Sequence, residues 1–439
     1  MIKVVKTMKY EIKYDKELYD LLSEIQYAIW LIKNRATTAV YDWQQFSFSY
    51  NERFGEYPKE KDLLGKRLAP DIYGFLKELG SFVSSQIIDT AVQEAIKKFK
   101  NDKMKILKGE QSIQIYRRNG SFPIRASQLK GLTKINNKTY EAKLSLLSNA
   151  GAKERDCKGQ FVVTLITGKG AYEILDRVIN GEYKMSDSRI YKRKNKFYLL
   201  LTYKFEKEAE KLLDENRIMG VDIGVAVPAV LAINEDKFYR QYVGDAKEVS
   251  DFVAQINDRK KRLQRSRKWA GEGSRGSGRK KLMKPVDAIS NKIHNYRETK
   301  NHTWSRFIVN EALKNECGTI QIEDLTGITT DNTFLKDWTF YSLQQKIIDK
   351  AKEHGIKVVK VKPNYTSQRC NKCGFIHKDV KKEIWRPTQA DFKCLNCGHE
   401  SNADLNAARN ISVKGIVKII EDQLKAQEKN VKHVEEYLV

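Results

Sequence analysis

The apolar positions change period three times along the chain. From Ile2 to Lys13, β-branched and aromatic residues alternate with lysines, as in a half-buried strand. The spacing then turns helical through Leu18, Leu21, Leu22, Ile25, Ala28, Ile29 and Ile32, predicting a long helix after the strand. A polar and aromatic loop with Gly55 and Pro58 leads to a second helical stretch, which ends in a basic run from Lys97 to Lys108. From Ser112 the period falls to two. Ile113 and Ile115, an Asn119-Gly120 turn, and runs at 140–147, 160–167 and 196–205 read as strands of a small barrel or sandwich that the first strand can join. The stretch 171–181 has helical spacing and can cross one end of it. Near Arg217 the order becomes strand, helix, strand, helix, the grammar of an α/β domain. Two strands surround Gly224, a helix follows over 290–315, a strand over 318–325, a helix over 338–354 and a strand over 356–361.

Composition narrows the class. The chain has 439 residues, room for about three domains. A hydrophobic share of 41% is ordinary for a folded protein, but a net charge of +25 is not. Such charge repels itself, and a polyanion relieves it by phosphate neutralisation and counterion release. Nucleic acid is the leading partner and an anionic membrane surface the second. No apolar run approaches the ~18 residues of a membrane span, and the N-terminus lacks the apolar core of an export signal. The expectation is a soluble, cytosolic protein with no membrane partner. Six cysteines are too few for a disulfide scaffold, and four crowd between positions 370 and 397.

Those four carry the sharpest local signal. Cys370-x-x-Cys373 and Cys394-x-x-Cys397, twenty residues apart and each followed by glycine, have the spacing of a zinc ribbon. Four thiolates close a tetrahedron around Zn2+ with no open position, so the metal is structural. His377 and His399 are the less favoured substitute ligands, and Cys157 and Cys317 read as core residues. A second signal is dispersed. Asp222 interrupts an apolar strand in Gly220-Val-Asp-Ile-Gly224, where a buried charge demands a cation or hydrogen-bond partners. Glu323 and Asp324 end another β-rich run, and Asp404 opens a small-residue helix, Ala403 to Ile411. Taken singly, each acid has a structural reading as a turn or helix cap. Converging, three acids can hold two divalent ions for phosphodiester hydrolysis. Alternation does not choose between Glu323 and Asp324.

Ile218-Met-Gly-Val-Asp-Ile-Gly-Val-Ala, Ile320-Gln-Ile-Glu-Asp-Leu, and Tyr365-Thr-Ser-Gln-Arg-Cys with the cysteine pairs and Asn402-Ala-Asp-Leu-Asn-Ala-Ala-Arg-Asn-Ile resemble, in order, the three RuvC blocks of TnpB and type V CRISPR effectors. Segments such as Gly55-Glu-Tyr-Pro-Lys59, Leu144-Ser-Leu-Leu-Ser-Asn149 and Ile179-Asn-Gly-Glu-Tyr183 resemble the compact type V-F branch, Cas-twelve-f. The resemblance implies a multidomain α+β protein: an RNase H-like α/β RuvC nuclease domain with a zinc-ribbon insert, and an N-terminal β-barrel wedge domain carrying an inserted helical recognition domain. The implied divisions are a first wedge strand (1–14), the helical recognition domain (15–108), the wedge barrel (109–215), the first part of RuvC (216–364), a ribbon for target nucleic acid (365–401), and the last part of RuvC with a C-terminal helix (402–439). It implies an RNA-guided double-stranded DNA endonuclease of a prokaryotic cytoplasm, using a T-rich PAM. Asp222, Glu323 and Asp404 would be the catalytic acids binding two Mg2+, beside one structural Zn2+ on Cys370, Cys373, Cys394 and Cys397. The implied partners are a guide RNA (crRNA with tracrRNA, or a fused single guide), target DNA with its PAM, and a second copy of the chain in an asymmetric homodimer.

That frame gives the basic segments roles. The run 259–284 holds twelve basic residues and one acid. Lys260, Arg262, Arg265, Arg267 and Lys268 are candidate nucleic-acid contacts there, with a solvated loop as the alternative. Arg369, beside the first zinc cysteine, is placed near the scissile strand or in an internal salt bridge, and Lys393 on the ribbon surface. Trp30, Tyr41, Trp43, Phe46, Phe48 and Tyr50 pack a helical core, or present rings to bases or to the second subunit. Three other readings keep part of the signal: a transposon-encoded TnpB nuclease, a non-catalytic zinc-ribbon binding protein, and a guide-independent junction resolvase.

Overall fold

A computed structural model describes residues 2–168, 170–208, 212–224, 227–265, 277–325, 340–378 and 380–437. The chain divides into two compact units, residues 3–206 and residues 207–439 with the first two residues. The first strand of the second unit begins at Asp214.

In the first unit, seven strands form one sheet: β1 (Ile2–Ile12), β2 (Phe122–Ile124), β3 (Leu129–Asn136), β4 (Thr139–Ser145), β5 (Gln160–Ile166), β6 (Lys184–Arg193) and β7 (Lys196–Lys207), ordered β2-β6-β7-β1-β5-β4-β3. β2 and β3 are opposite edges, yet only residues 125–128 join them. A flat sheet of this width would part its edges by about 29 Å, whereas that link spans at most about 18 Å. The sheet therefore curls into a barrel. Helices Lys16–Phe54, Glu60–Leu64, Leu68–Leu76 and Ser85–Leu107 are inserted between β1 and β2. They share one hydrophobic core with the barrel: Leu21, Ile25 and Ile87 belong to the same cluster as Tyr140, Leu165 and Leu199. A partly buried ion-pair network reinforces the junction, with Glu94 accepting from both the buried Lys33 and Arg189.

The sequence expectation fails at Ile113 and Ile115, which lie in irregular backbone. The Tyr116 amide donates to Asn34 Oδ1 and its carbonyl accepts from Trp30 Nε1, so this segment docks on a helix and has no ladder to join. Conversely, β3 and β6 carry weak strand signals because charged and small polar residues dominate them. Of the six aromatics, Tyr41 packs against Phe99, while Phe46 is exposed within a ring ladder from Trp43 through Tyr50 to Phe54.

The second unit is built on β8 (Asp214–Asp222), β9 (Ala229–Ile233), β10 (Asp236–Val243), β11 (Cys317–Glu323) and β12 (Lys357–Val361). Their order is β10-β9-β8-β11-β12, antiparallel through β10, β9 and β8, and parallel from β8 to β12. Met219, Val221, Ile320 and Ile322 point to one face, where Trp304 and Ile308 of helix Ser277–Lys314 and Leu343 and Ile347 of helix Phe340–Lys352 cover them. Helix Ala403–Ile411 covers the other face through Leu405 and Ala408 against Val230 and Ala232. A Cβ on Gly220 would overlap the Ala408 carbonyl oxygen and the Ser412 amide nitrogen, which explains the glycine in the strand and the alanines in the helix. Among the described residues no helix is long and apolar enough to cross a membrane.

Candidate nuclease and metal sites

The acids meet on the helix 403–411 face. β8 and β11 are parallel, with Gln321 beside Gly220 and Ile322 beside Val221. One residue further on, this register sets Glu323 beside Asp222, both on the face opposite the Ile320 and Ile322 core. Asp404 comes to the same place from the first turn of its helix, which Asn402 caps by accepting from the Leu405 amide at 3.0 Å. The tie between Glu323 and Asp324 is thereby broken: Asp324 faces the other way, 3.6 Å from Lys360.

The electrostatics are those of an unbalanced site. Burial, then the charges of Glu323 and Asp404, push the Asp222 carboxyl well above its ordinary range, against a small opposing pull from Arg386. Burial likewise raises Glu323, although the Thr366 hydroxyl donates to Glu323 Oε1 and works the other way. Burial raises Asp404, opposed by Arg386. Three hard carboxylates forced together, each resisting ionisation, fit divalent cations with oxygen ligands. The sequence reading missed Arg386. Its Nη2 donates to Asp404 Oδ1 at 3.1 Å, with both side chains largely buried. Nothing in the pattern around Trp385-Arg386-Pro387 announces this, since the pairing arises when the segment between the cysteine pairs folds back on the sheet. Gly224 was visible only as a turn signal, yet a Cβ there would stand 2.9 Å from the Val227 carbonyl oxygen and 3.6 Å from Asp404 Oδ2.

The four cysteines gather their sulfurs within 4.8 Å of one another, the one such cluster of potential metal ligands among the described residues. Cys370 and Cys397 Sγ are 3.9 Å apart, and Cys373 and Cys394 Sγ 3.6 Å. A tetrahedral site with ~2.3 Å metal–sulfur bonds sets neighbouring sulfurs about 3.8 Å apart, far from a disulfide. Gly374 and Gly398 close the two knuckles at φ of +80° and +66°, donating to the Cys370 and Cys394 carbonyls. Strands β13 (Asp391–Lys393) and β14 (Glu400–Asn402) brace the second pair. His377 is not a ligand here. Nδ1 is paired with the Gln368 carbonyl at 2.7 Å and Nε2 accepts the Leu395 amide, so the ring ties the two halves of the ribbon together.

The remaining candidates are unevenly placed. Arg369 donates from Nε to Gln423 Oε1 and from Nη1 to Asn410 Oδ1, contacts that join the cysteine segment to the last two helices. Arg262 and Arg265 are exposed and Lys260 half-buried on helix Ala246–Arg265, so the start of the basic run is helical. Arg267 and Lys268 lie outside the described residues. Lys393 is exposed, 2.8 Å from its cross-strand neighbour Glu400.

Residues 340–411 match the family model described as Cas12f1-like, TNB domain. The chain is 39% identical over 434 residues to the CRISPR-associated endodeoxyribonuclease Cas12f1 of Sulfoacidibacillus thermotolerans, covering 96% of this chain and 100% of that one. It is 34% identical to the Cas12f1 of Syntrophomonas palmitatica over 82% of this chain and 73% of the relative. The putative RNA-guided DNA endonuclease InsQ of Escherichia coli is 36% identical over 19% of this chain and 20% of its own length. In a solved Cas12f1–sgRNA–target DNA complex, the matching chain superposes with a TM-score of 0.63 at 20% identity, covering 91% of this chain and 83% of that one. With near-complete coverage of a relative at this identity, the chain belongs to the Cas12f1 family of CRISPR-associated endodeoxyribonucleases.

Proposed function

We propose that the protein is an RNA-guided DNA endonuclease that hydrolyses both strands of a target at one RuvC-type site formed by Asp222, Glu323 and Asp404. The observation carrying this reading is the shared sheet face at the ends of β8 and β11, where the three acids concentrate charge that Arg386 offsets in part. The five-stranded unit is the RuvC domain, the cysteine ribbon a zinc-stabilised insert for target nucleic acid, and the first unit a wedge barrel with a helical recognition insert. Two bound Mg2+ ions would supply an activated water and stabilise the leaving oxygen. The chain's part is to hold ligands. Asp222 stands between the other two acids, Thr366 fixes the orientation of the Glu323 carboxylate, and the capped helix fixes Asp404. Arg386 offsets part of the negative charge at Asp404 and joins the ribbon to the site. Sequence is read by guide pairing, and the protein reads duplex shape and a T-rich PAM. Two copies on one guide RNA complete the assembly.

The test is cleavage of a randomised-PAM plasmid library with RNA from the chain's own locus, with Mg2+ or EDTA, for the native chain and Asp222→Ala. Guided cutting beside a T-rich PAM, lost with EDTA and with the substitution while RNA and DNA binding persist, is the expected result. Binding without any metal-dependent cutting by the native chain would refute it.

A further inference from the structure

Two cavities adjoin in the first unit, away from the acids and the ribbon. The larger, about 430 Å3, lies between helix 16–54, the segment around Arg118 and the β6–β7 hairpin. Arg118, Lys192 and Lys194 line it together with amide side chains including Gln26 and Asn195, and no acidic residue does. The smaller, about 130 Å3, opens on the other side of Asn195 and is walled by Tyr14, Tyr19 and Phe197. The two acids that line it, Glu11 and Asp15, are engaged by Lys196 and by the Leu18 amide.

The walls are anchored by hydrogen bonds. Gln26 donates to the Gly120 carbonyl at 2.8 Å, holding the Arg118 segment on the helix. Lys194 and Asn195 occupy left-handed conformations at φ of 50° and 61°, the geometry of a two-residue hairpin turn. Lys192 Nζ lies 4.2 Å from the Tyr19 ring centroid and 3.2 Å from Ser23 Oγ, on the boundary of the aromatic and basic halves. The Arg118 guanidinium sits 4.8 Å over the ring of Tyr27, which is 45% exposed. Neither Arg118 nor Lys194 has a carboxylate partner among the described residues.

Cations without acids suit phosphate. Exposed rings beside them suit an unstacked base, and a polar cavity of this size takes about one nucleotide. A regular duplex offers no free base, so the occupant is single-stranded. We propose that this double cavity binds an unpaired nucleotide of the guide RNA, with its phosphates on Arg118, Lys192 and Lys194 and its base against Tyr27. The inference rests on the RNA-guided reading above and assigns residues to it.

The experiment measures binding of RNA from the chain's own locus, without DNA, as a function of salt. It compares the native chain with Arg118→Gln/Lys194→Asn, Lys194→Asn alone, and Tyr27→Leu. Asparagine tolerates the left-handed turn, so Lys194→Asn removes charge and leaves the hairpin folded even if another variant melts early. The double variant should bind roughly 10- to 100-fold more weakly near 0.15 M salt, with the log–log salt slope reduced by about 1.4, and Lys194→Asn alone should lose about 0.7 of slope. Tyr27→Leu should lose about tenfold. Native-like RNA affinity and slope in the variants would overturn the inference. So would unchanged RNA binding with weakened capture of target DNA by the protein–RNA complex, since the occupant would then be DNA. If the native chain itself binds no such RNA, the RNA-guided reading falls first, a distinguishable outcome.

Discussion

The cysteine cluster and the acid cluster are the two candidate cation sites described in the second unit, and they are built in opposite ways. Each cysteine pair is positioned by its own knuckle, with a glycine at left-handed φ and a hydrogen bond spanning four residues, so most of the geometry is local. The acids come from positions 222, 323 and 404, and only sheet register and helix packing bring them together. Four thiolates would close a tetrahedral ion and leave no place for a reactant, whereas the acid cluster is crowded with like charge and resists ionisation. Arg386 links them, since it lies between the cysteine pairs and ends on Asp404.

The contrast breaks most sharply at Glu323. Glu323→Gln should lower guided cleavage by at least about 10³-fold with DNA binding retained, a loss of about 4 kcal/mol of transition-state stabilisation; cleavage within tenfold of native would remove Glu323 from the site. Zinc loss should act less directly. Cys394→Ser should lower bound zinc below one per chain by elemental analysis and reduce cleavage on the order of 10- to 100-fold. Full zinc content in that variant would mean that the sulfurs do not hold the ion. Gly220→Ala probes the packing under the acids. A methyl group against the helix backbone should cost about 1–3 kcal/mol, read as a lower melting temperature.

A quieter distinction concerns pH. Because the native Asp222 carboxyl ionises above its unfolded value, its stability contribution is complete below the unfolded pKa and is lost as pH rises through the native one. Asp222→Asn should therefore raise the melting temperature in EDTA at neutral pH, by on the order of 2–4 °C for each kcal/mol relieved, and the gain should shrink on acidification. A variant that melts lower than native at every pH would show that the carboxylate is structurally required. The smallest expected effect belongs to Asp324→Asn, with cleavage within about twofold of native, since that side chain faces Lys360 away from the site.

The gathering of the four cysteines was legible because its code is local: spacing and flanking glycines state it, and the register of β13 and β14 only braces it. The α/β order of the second unit was legible because β9 is wholly apolar and β11 carries isoleucines at alternate positions. β3, β6 and β10 were not, because strands with a solvated face carry charge that dilutes the alternation. Ile113 and Ile115 misled for the reverse reason, since alternation appears where backbone hydrogen bonds go to Asn34 and Trp30.

By itself the sequence determined the classes of chemistry on this chain: net charge for a polyanion, four thiolates at ribbon spacing, and carboxylates interrupting apolar runs, all fixed by residue type and short-range spacing. Only the tertiary structure decided which carboxylates meet. It selected Glu323 over Asp324, brought Arg386 to Asp404, turned Arg369 inward, and set Arg118 and Lys194 around one cavity. The reason is that side-chain convergence across a hundred residues depends on strand register and on close packing at positions such as Gly220, which no short stretch of sequence encodes.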